Sequence, residues 1–254
     1  MKRVLAHNTK RCNHSTIVNS SWIKLPNGAL EIDAYIAQPD ESSRGAIIVI
    51  QEIFGVNSHI QAVANRLADE GYLAIAPAIF QRTAPGFEVG YSAEETQLGR
   101  SHKDQTTTDE LFSDLKATIA FLHAKGFQNI GAIGFCFGGH VAYLAATLPE
   151  VKATASFYGA GIATMAPGGG EPTIKRTPDI RGRLYAFFGT EDPLIPIAQI
   201  DQVEAALQTH QIDYRMFRYP AGHGFFCDQR PEYNPIAAAD AWQQVKTLFS
   251  ELRH

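Results

Sequence analysis

A cysteine at the centre of a glycine-rich turn is the strongest chemical signal in the sequence. Gly134-Phe135-Cys136-Phe137-Gly138-Gly139 follows an apolar, strand-like run and precedes a helix-like segment. A sharp strand-to-helix turn presents a nucleophile at its tip, and larger side chains in place of the glycines would collide with the adjoining strand and helix. The helix N-terminus would favour the Cys136 thiolate, and the Phe137 amide would point at a developing oxyanion. The pattern predicts nucleophilic attack by Cys136; the alternative is a buried structural cysteine.

Two further residues follow in the order nucleophile, acid, histidine that this kind of turn predicts. Asp192 comes just after the apolar run LYAFFG, and His223 comes just after MFRYP. Because both follow predicted strands, we expect His223 to serve as the base for Cys136 and Asp192 to orient its ring. Taken alone, an aspartate before a proline is more often a turn or helix-capping residue.

The other histidines and cysteines lack such a setting. His140 is the main competitor of His223, since it falls in the helix predicted after the glycine-rich turn. His59 and His102 are expected to be exposed. Cys227 lies close to His223 in the sequence, so it could line a pocket, but it is not placed as a nucleophile.

Strands and helices alternate along the chain and predict where these side chains meet. Trp22–Leu25 and Leu30–Ala37 flank the turn Pro26-Asn27-Gly28 and form a predicted hairpin. The later predicted strands cover residues 46–50, 72–76, 129–135, 153–158, 184–189 and 214–219. The predicted helices cover residues 57–70, 107–126, 138–148, 197–209 and 237–252, and residues 77–90 and 161–181 are predicted loops.

This alternation predicts an α/β fold. We expect a doubly wound, mostly parallel sheet with an antiparallel N-terminal edge and helices on both faces. In such sheets ligands bind beyond the carboxyl ends of the strands. The loops after Ile50, Ala76, Phe135, Gly189 and Tyr219 are therefore the places where a site is expected.

Composition excludes several other classes of function. The 254 residues, 45% hydrophobic and 19% charged, suit one globular domain over residues 16–254, preceded by a mobile tail over residues 1–15. A formal net charge of −4 and a pI near 6.1 argue against a nucleic-acid partner. No apolar run approaches the roughly 18 residues of a membrane span, and the N-terminal segment lacks the apolar core of a signal peptide. With three cysteines, a reducing cytoplasmic location is expected.

Several segments together resemble the dienelactone hydrolase family of α/β-hydrolases, the carboxymethylenebutenolidases. These are QEIFGVNSHI, GYLAIAPAIF, RTAPG, GFCFGG, GTEDPLIP and AGHGFF. The resemblance runs from about Asn27 to the C-terminus. It implies the α/β-hydrolase fold and hydrolysis of a small ester or lactone.

The resemblance also implies roles for the matching residues. Cys136 would be the nucleophile, His223 the base and Asp192 its orienting acid. Glu52 matches a glutamate that contacts the resting thiol and helps to activate it; the alternative is a solvated loop glutamate. The backbone amide of Ile53 would be the second oxyanion donor beside that of Phe137.

Substrate-binding residues are implied in the same way. Arg82 aligns with an arginine that binds the substrate carboxylate, although a solvated surface arginine is the alternative, and Tyr158 matches an aromatic position near the pocket. Two positions depart from the family pattern. Cys227 stands in place of a second substrate-binding arginine, with Arg230 the nearest arginine, and Ala78 replaces an aspartate. These departures weaken the expectation of strict dienelactone specificity.

The sequence therefore predicts an acyl-transfer hydrolase of a small ester or lactone, either neutral or anionic, acting through a covalent acyl-enzyme. No metal or organic cofactor is required, and the oligomeric state is expected to be a monomer or small homo-oligomer. One alternative is a carboxylesterase or thioesterase of broad specificity. Another is a redox-responsive or binding module in which Cys136 is a sensor, although a sensor would need neither His223 nor Asp192.

Overall fold

Residues 18–252, which a computed structural model describes, contain one mixed β-sheet covered by helices. The strands are β1 (Val18–Asn27), β2 (Leu30–Pro39), β3 (Ala46–Ile50), β4 (Leu73–Pro77), β5 (Ile130–Phe135), β6 (Val151–Phe157), β7 (Arg183–Gly189) and β8 (Tyr214–Tyr219). They lie in the order β1-β2-β4-β3-β5-β6-β7-β8. β2 is antiparallel to both β1 and β4, whereas β3 to β8 are mutually parallel. The expected sheet is confirmed, and the tail expected over residues 1–15 lies outside the described residues.

Six α-helices lie within this part of the chain, five between strands and one after β8. They are α1 (Ser58–Asp69), α2 (Ala93–Gln105), α3 (Thr108–Ala124), α4 (Phe137–Ala145), α5 (Ile197–Thr209) and α6 (Pro235–Phe249). All but α2 agree with predicted helices to within a few residues. A short 3₁₀-helix at Thr173–Asp179 falls inside the loop predicted over residues 161–181. Among the described helices, none combines the length and apolar character that a membrane span requires.

An apolar layer covers each face of the sheet. The continuous apolar run of β3 shows the reason, because Ile47 and Val49 belong to one layer while Ile48 and Ile50 belong to the other. Helix α1 packs in the first layer and helix α3 in the second. This burial on both faces fixes the ends of the central strands.

Helix α2 lies where no helix was predicted. It buries only Gly99, so the sequence lacks the apolar stripe on which the prediction depended. A signal was present at its start, where the Glu95 amide donates to Ser92 Oγ and the Ser92 amide donates to the Glu95 carboxylate. Gly99 permits close packing, since a Cβ there would lie 2.2 Å from the Ile53 carbonyl oxygen. Helix α2 thereby covers the loop after β3.

The candidate chemical residues follow the carboxyl ends of parallel strands. Glu52 follows β3, Cys136 follows β5, Asp192 follows β7 and His223 follows β8. Because these strands run in the same direction, the four residues lie at one edge of the sheet.

Candidate active site

Cys136 occupies a strained turn between β5 and α4. Its φ of 56° and ψ of −118° are rare for a residue with a Cβ. Its amide donates to the Phe157 carbonyl at 3.1 Å, which holds the turn against β6. A Cβ on Gly134 would lie 1.9 Å from the Gly138 carbonyl oxygen, and one on Gly138 would lie 2.3 Å from that of Gln51. The turn therefore needs glycine on both sides of Cys136, as the sequence predicted.

The loops after β7 and β8 are joined to each other. The Glu191 amide donates to the Ala221 carbonyl at 3.1 Å. Gly189 permits this approach, because a Cβ there would lie 2.1 Å from the same carbonyl oxygen. The contact places Asp192 and His223, each close to one of these residues in sequence, side by side.

His223 and Asp192 form a buried pair. His223 Nδ1 lies 2.7 Å from Asp192 Oδ2, and Asp192 Oδ1 accepts a hydrogen bond from the Leu194 amide at 2.7 Å. The other ring nitrogen, Nε2, has no hydrogen-bond partner among the described residues. Burial alone would lower the pKa of His223, but the nearby Cys136 and the hydrogen bond to Asp192 outweigh it and raise the pKa to about 10. The pair is therefore suited to hold a proton next to a thiolate.

A cavity of about 540 Å³ opens at this edge of the sheet. Cys136 and His223 line it together with Ile53 and Phe137. Phe137 is the first residue of α4, so its amide has no carbonyl partner within the helix. The structure thus brings the two predicted oxyanion residues to the cavity that holds the candidate nucleophile and base. Such an arrangement is suited to acyl transfer.

His140 lines the same cavity but is engaged elsewhere. Its Nδ1 lies 2.8 Å from the Ala160 carbonyl oxygen, and its Nε2 lies 2.6 Å from Thr173 Oγ1. Burial lowers the pKa of His140 to about 4, so the ring is neutral near pH 7. With both nitrogens hydrogen-bonded, His140 has the geometry of a structural residue, in agreement with the preference for His223.

Glu52 is fully buried and pairs with Arg230. Arg230 Nη1 lies 3.2 Å from Glu52 Oε1, while Oε2 has no hydrogen-bond partner within residues 18–252. The guanidinium also lies over the rings of Phe54 and Tyr91, at 5.8 and 5.7 Å from their centroids, and it lines the cavity. The hydrogen bonds of the described residues join Glu52 to Arg230 and not to the Cys136 thiol. Arg230, whose reach the sequence left open, therefore lines the cavity that holds the candidate nucleophile.

Arg82 lies away from this site, and its assignment to substrate binding needs correction. Its Nη1 lies 2.7 Å from the carboxylate of Asp114, a buried residue of α3. Asn27 Nδ2 donates to the same carboxylate at 2.8 Å. Arg82 is not one of the described residues that line the cavity. Arg82 joins the loop after β4 to α3. The buried carboxylate of Asp114 would be costly without a cation, and Arg82 supplies one.

Tyr158 packs against His223, with ring centroids 5.1 Å apart and planes at 61°. The residue has no exposed surface, and it is absent from the described residues that line the cavity. Its φ of 35° is unusual for a tyrosine, and its hydroxyl has no hydrogen-bond partner in the described part of the chain. Tyr158 therefore lies near the cavity, as the resemblance implied, but it packs against the imidazole of His223 and does not line the cavity.

Helix α2 supplies cavity residues that sequence reasoning missed. Arg100 and Lys103 both line the cavity, and Lys103 Nζ lies 2.6 Å from the carboxylate of Asp104. The expectation of an exposed His59 was wrong, since it is 3% exposed and packs edge-on against Phe135. The local sequence does not predict the positions of Arg100, Lys103 and His59, because these depend on which loops lie over the strand ends.

Comparisons with known proteins identify the family of the chain. The model of the Dienelactone hydrolase family matches residues 32–253. A protein of Synechocystis sp. that carries the name carboxymethylenebutenolidase is 56% identical over 237 residues, covering 91% of this chain and 96% of that protein. A Yersinia pestis protein of the same name is 33% identical, covering 89% of this chain and 86% of that protein.

Solved structures show the same likeness. The crystal structure of a Klebsiella pneumoniae protein described as a dienelactone hydrolase superposes with a TM-score of 0.83 at 27% identity, covering 92% of this chain and 99% of that one. The family match, the relatives and the shared α/β-hydrolase fold together identify the chemistry class. The chain belongs to the dienelactone hydrolase family and is a carboxylic ester hydrolase that acts on small esters or lactones.

Proposed function

We propose that the chain hydrolyses its ester or lactone through Cys136, His223 and Asp192, with a covalent acyl-enzyme. The observation that supports this most directly is the shared cavity, in which the strained Cys136 turn meets an imidazole held at 2.7 Å by a buried aspartate. A structural cysteine would need neither the backbone strain nor the oriented histidine.

The proposed reaction has two halves. The Cys136 thiol gives its proton to His223, and the sulfur attacks the carbonyl carbon to form a C–S bond. The carbonyl oxygen becomes an oxyanion, which the amides of Phe137 and Ile53 stabilise. The C–O bond then breaks, and the imidazolium of His223 gives its proton to the leaving alkoxide. In the second half His223 takes a proton from water, the hydroxyl attacks the thioester, and the carboxylic acid and the Cys136 thiol are released.

Arg230 supports an anionic substrate class. Its guanidinium lines the cavity at 3.2 Å from Glu52, and Arg100 of α2 lines the same cavity. A substrate carboxylate would bind Arg230 by charge-assisted hydrogen bonds. The same carboxylate would compete with Glu52 for Arg230, so substrate binding would leave Glu52 free to act near Cys136.

The nucleophile is tested by mass spectrometry with a slowly hydrolysed aryl ester. Cys136→Ala should abolish hydrolysis and the acyl adduct, while the matched change Cys12→Ala should keep both. An adduct on another residue, or full activity in Cys136→Ala, would contradict the proposed nucleophile. The far-UV circular dichroism of each variant shows that the fold survives.

Substrate charge is tested with an anionic ester and a neutral ester of the same leaving group. Arg230→Ala should lower the ratio of their kcat/KM values by about ten- to a hundredfold, which corresponds to roughly 1.5–3 kcal/mol for a charged hydrogen bond. Arg181→Ala, at an exposed arginine, is the control and should leave the ratio unchanged. Equal losses on both esters would mean that Arg230 acts only through Glu52, and the anionic class would be rejected.

A further inference from the structure

Three potential metal ligands converge in the interior behind the active-site loops. Glu52, His59 and Cys227 each offer one atom, a carboxylate oxygen, a ring nitrogen and the thiol sulfur, and these atoms lie within 4.8 Å of one another. All three side chains are buried, with Glu52 and Cys227 fully enclosed. They come from three separate segments, the loop after β3, helix α1 and the loop after β8.

Two polar atoms of this cluster lack hydrogen-bond partners in the described part of the chain, namely Glu52 Oε2 and His59 Nε2. Arg230 engages only the other oxygen of Glu52. A buried polar atom without a partner costs about 1–3 kcal/mol, so such atoms are rare in native proteins unless a ligand, ion or water satisfies them. Two such atoms next to the Cys227 thiol indicate that a ligand or ion binds between the three side chains.

We propose that Glu52, His59 and Cys227 bind one divalent ion of the zinc type. Thiolate sulfur, neutral imidazole and carboxylate are the donor set that zinc prefers, and a water would complete a tetrahedron. Even at the 4.8 Å limit, a central ion would lie about 2.8 Å from each atom. Side-chain shifts of roughly 0.5–0.8 Å would then give normal bond lengths.

Binding of the ion depends on the protonation states of His59 and Cys227. Burial lowers the pKa of His59, which keeps the ring neutral and a lone pair available. The Cys227 thiol must lose its proton to bind the ion, and burial, which raises the pKa of Cys227 to about 11, opposes this step. The Cys227 thiol donates to the Tyr91 hydroxyl at 3.3 Å. On binding, the S–H bond breaks, a sulfur–metal bond forms, the proton leaves to solvent, and nothing is oxidised or reduced. The positive charge of Arg230 opposes the ion and should make the site weaker than a structural zinc site.

Occupancy would also affect catalysis. An ion would hold Glu52 in place, whereas the proposed function has substrate binding release this carboxylate to act near Cys136. Reversible inhibition by zinc is therefore expected; this consequence rests on the proposed function, whereas binding of the ion does not.

Binding is tested by titrating Co²⁺ into the full chain carrying Cys136→Ala, which removes the active-site thiol. A thiolate-to-cobalt charge-transfer band should appear at one equivalent and disappear when Zn²⁺ is added. Adding Cys227→Ala should abolish the band, whereas adding Cys12→Ala should leave it. His59→Gln should weaken Co²⁺ binding at least tenfold, and His210→Gln, at an exposed histidine, should not.

The outcomes separate this proposal from the proposed catalytic role. No band in Cys136→Ala at millimolar Co²⁺, or a band that survives Cys227→Ala, overturns the metal site whatever the activity data show. If Cys227→Ala fails to fold by circular dichroism, the His59→Gln titration decides instead, and unchanged affinity there rejects the site.

Discussion

Replacement of Arg82 by alanine tests the reassignment of this residue from substrate binding to structure. Its guanidinium lies 2.7 Å from Asp114, whose side chain is completely buried. Burial raises the pKa of Asp114 from 3.8 to about 6 even though Arg82 opposes the shift. Removing one partner of a buried ion pair typically costs about 3–5 kcal/mol. Since Asn27 still donates to Asp114, we expect Arg82→Ala to cost about 2–4 kcal/mol at pH 8.

The cost should depend on pH in a defined direction. The folded-state pKa of Asp114 lies above its unfolded value, so the folded chain binds this proton more tightly and loses stability as pH rises through about 6. Without Arg82 the folded pKa rises further and the loss extends to higher pH. Near pH 5 the carboxyl is largely protonated in both proteins, and the difference should shrink to about 1 kcal/mol.

Urea unfolding followed by circular dichroism at pH 5 and pH 8 measures both effects. A Tm lowered by about 4–15 °C at pH 8 is the corresponding thermal result. Adding Asp114→Asn should restore most of the stability, and Arg181→Ala, at an exposed arginine, should change little. A loss independent of pH, or a selective loss of kcat/KM for an anionic ester, would refute the structural assignment.

Three further changes probe the site. Asp192→Asn should lower the pKa of His223, since Asp192 raises it, and NMR titration of the imidazole would detect a change in either direction. Gly99→Ala should lower kcat/KM by displacing α2 from the Ile53 carbonyl, and an unchanged rate would show that this close contact is dispensable. His140→Gln should lower stability because both ring nitrogens are hydrogen-bonded. It should leave the pH–rate profile in place, and a shifted profile would reveal a catalytic role.

Much of the candidate site could be predicted because its signals are local. A nucleophile turn needs glycines that avoid backbone atoms, and the clashes at Gly134 and Gly138 leave no other choice. Asp192 and His223 follow strands whose apolar runs are plain in the sequence. Parallel strands then bring their carboxyl ends together, so position along the chain was sufficient to predict position in space.

The parts that could not be predicted depend on long-range packing. Helix α2 has no apolar stripe, and Gly99, which approaches the Ile53 carbonyl oxygen in the loop after β3, is its only buried residue. Arg82 follows a buried strand, so the sequence predicted that it would reach the cavity. Its guanidinium instead forms an ion pair with the buried carboxylate of Asp114. His59 looked polar and exposed in the sequence, but the loops after β3 and β8 enclose it.

The change at position 227 is best understood together with Arg230. The sequence resemblance implies an arginine at the position of Cys227, and at that position this chain has no cation. A positive charge nevertheless lies at the cavity, because the chain turns back after His223. In this turn the Cys227 amide donates to the Gly224 carbonyl, and the Arg230 amide donates to the Cys227 carbonyl. This winding brings the guanidinium to 3.2 Å from Glu52 while the thiol occupies the interior next to it. Arg230, three positions further along the chain, therefore supplies a cation at the cavity, and the Cys227 thiol is buried behind it.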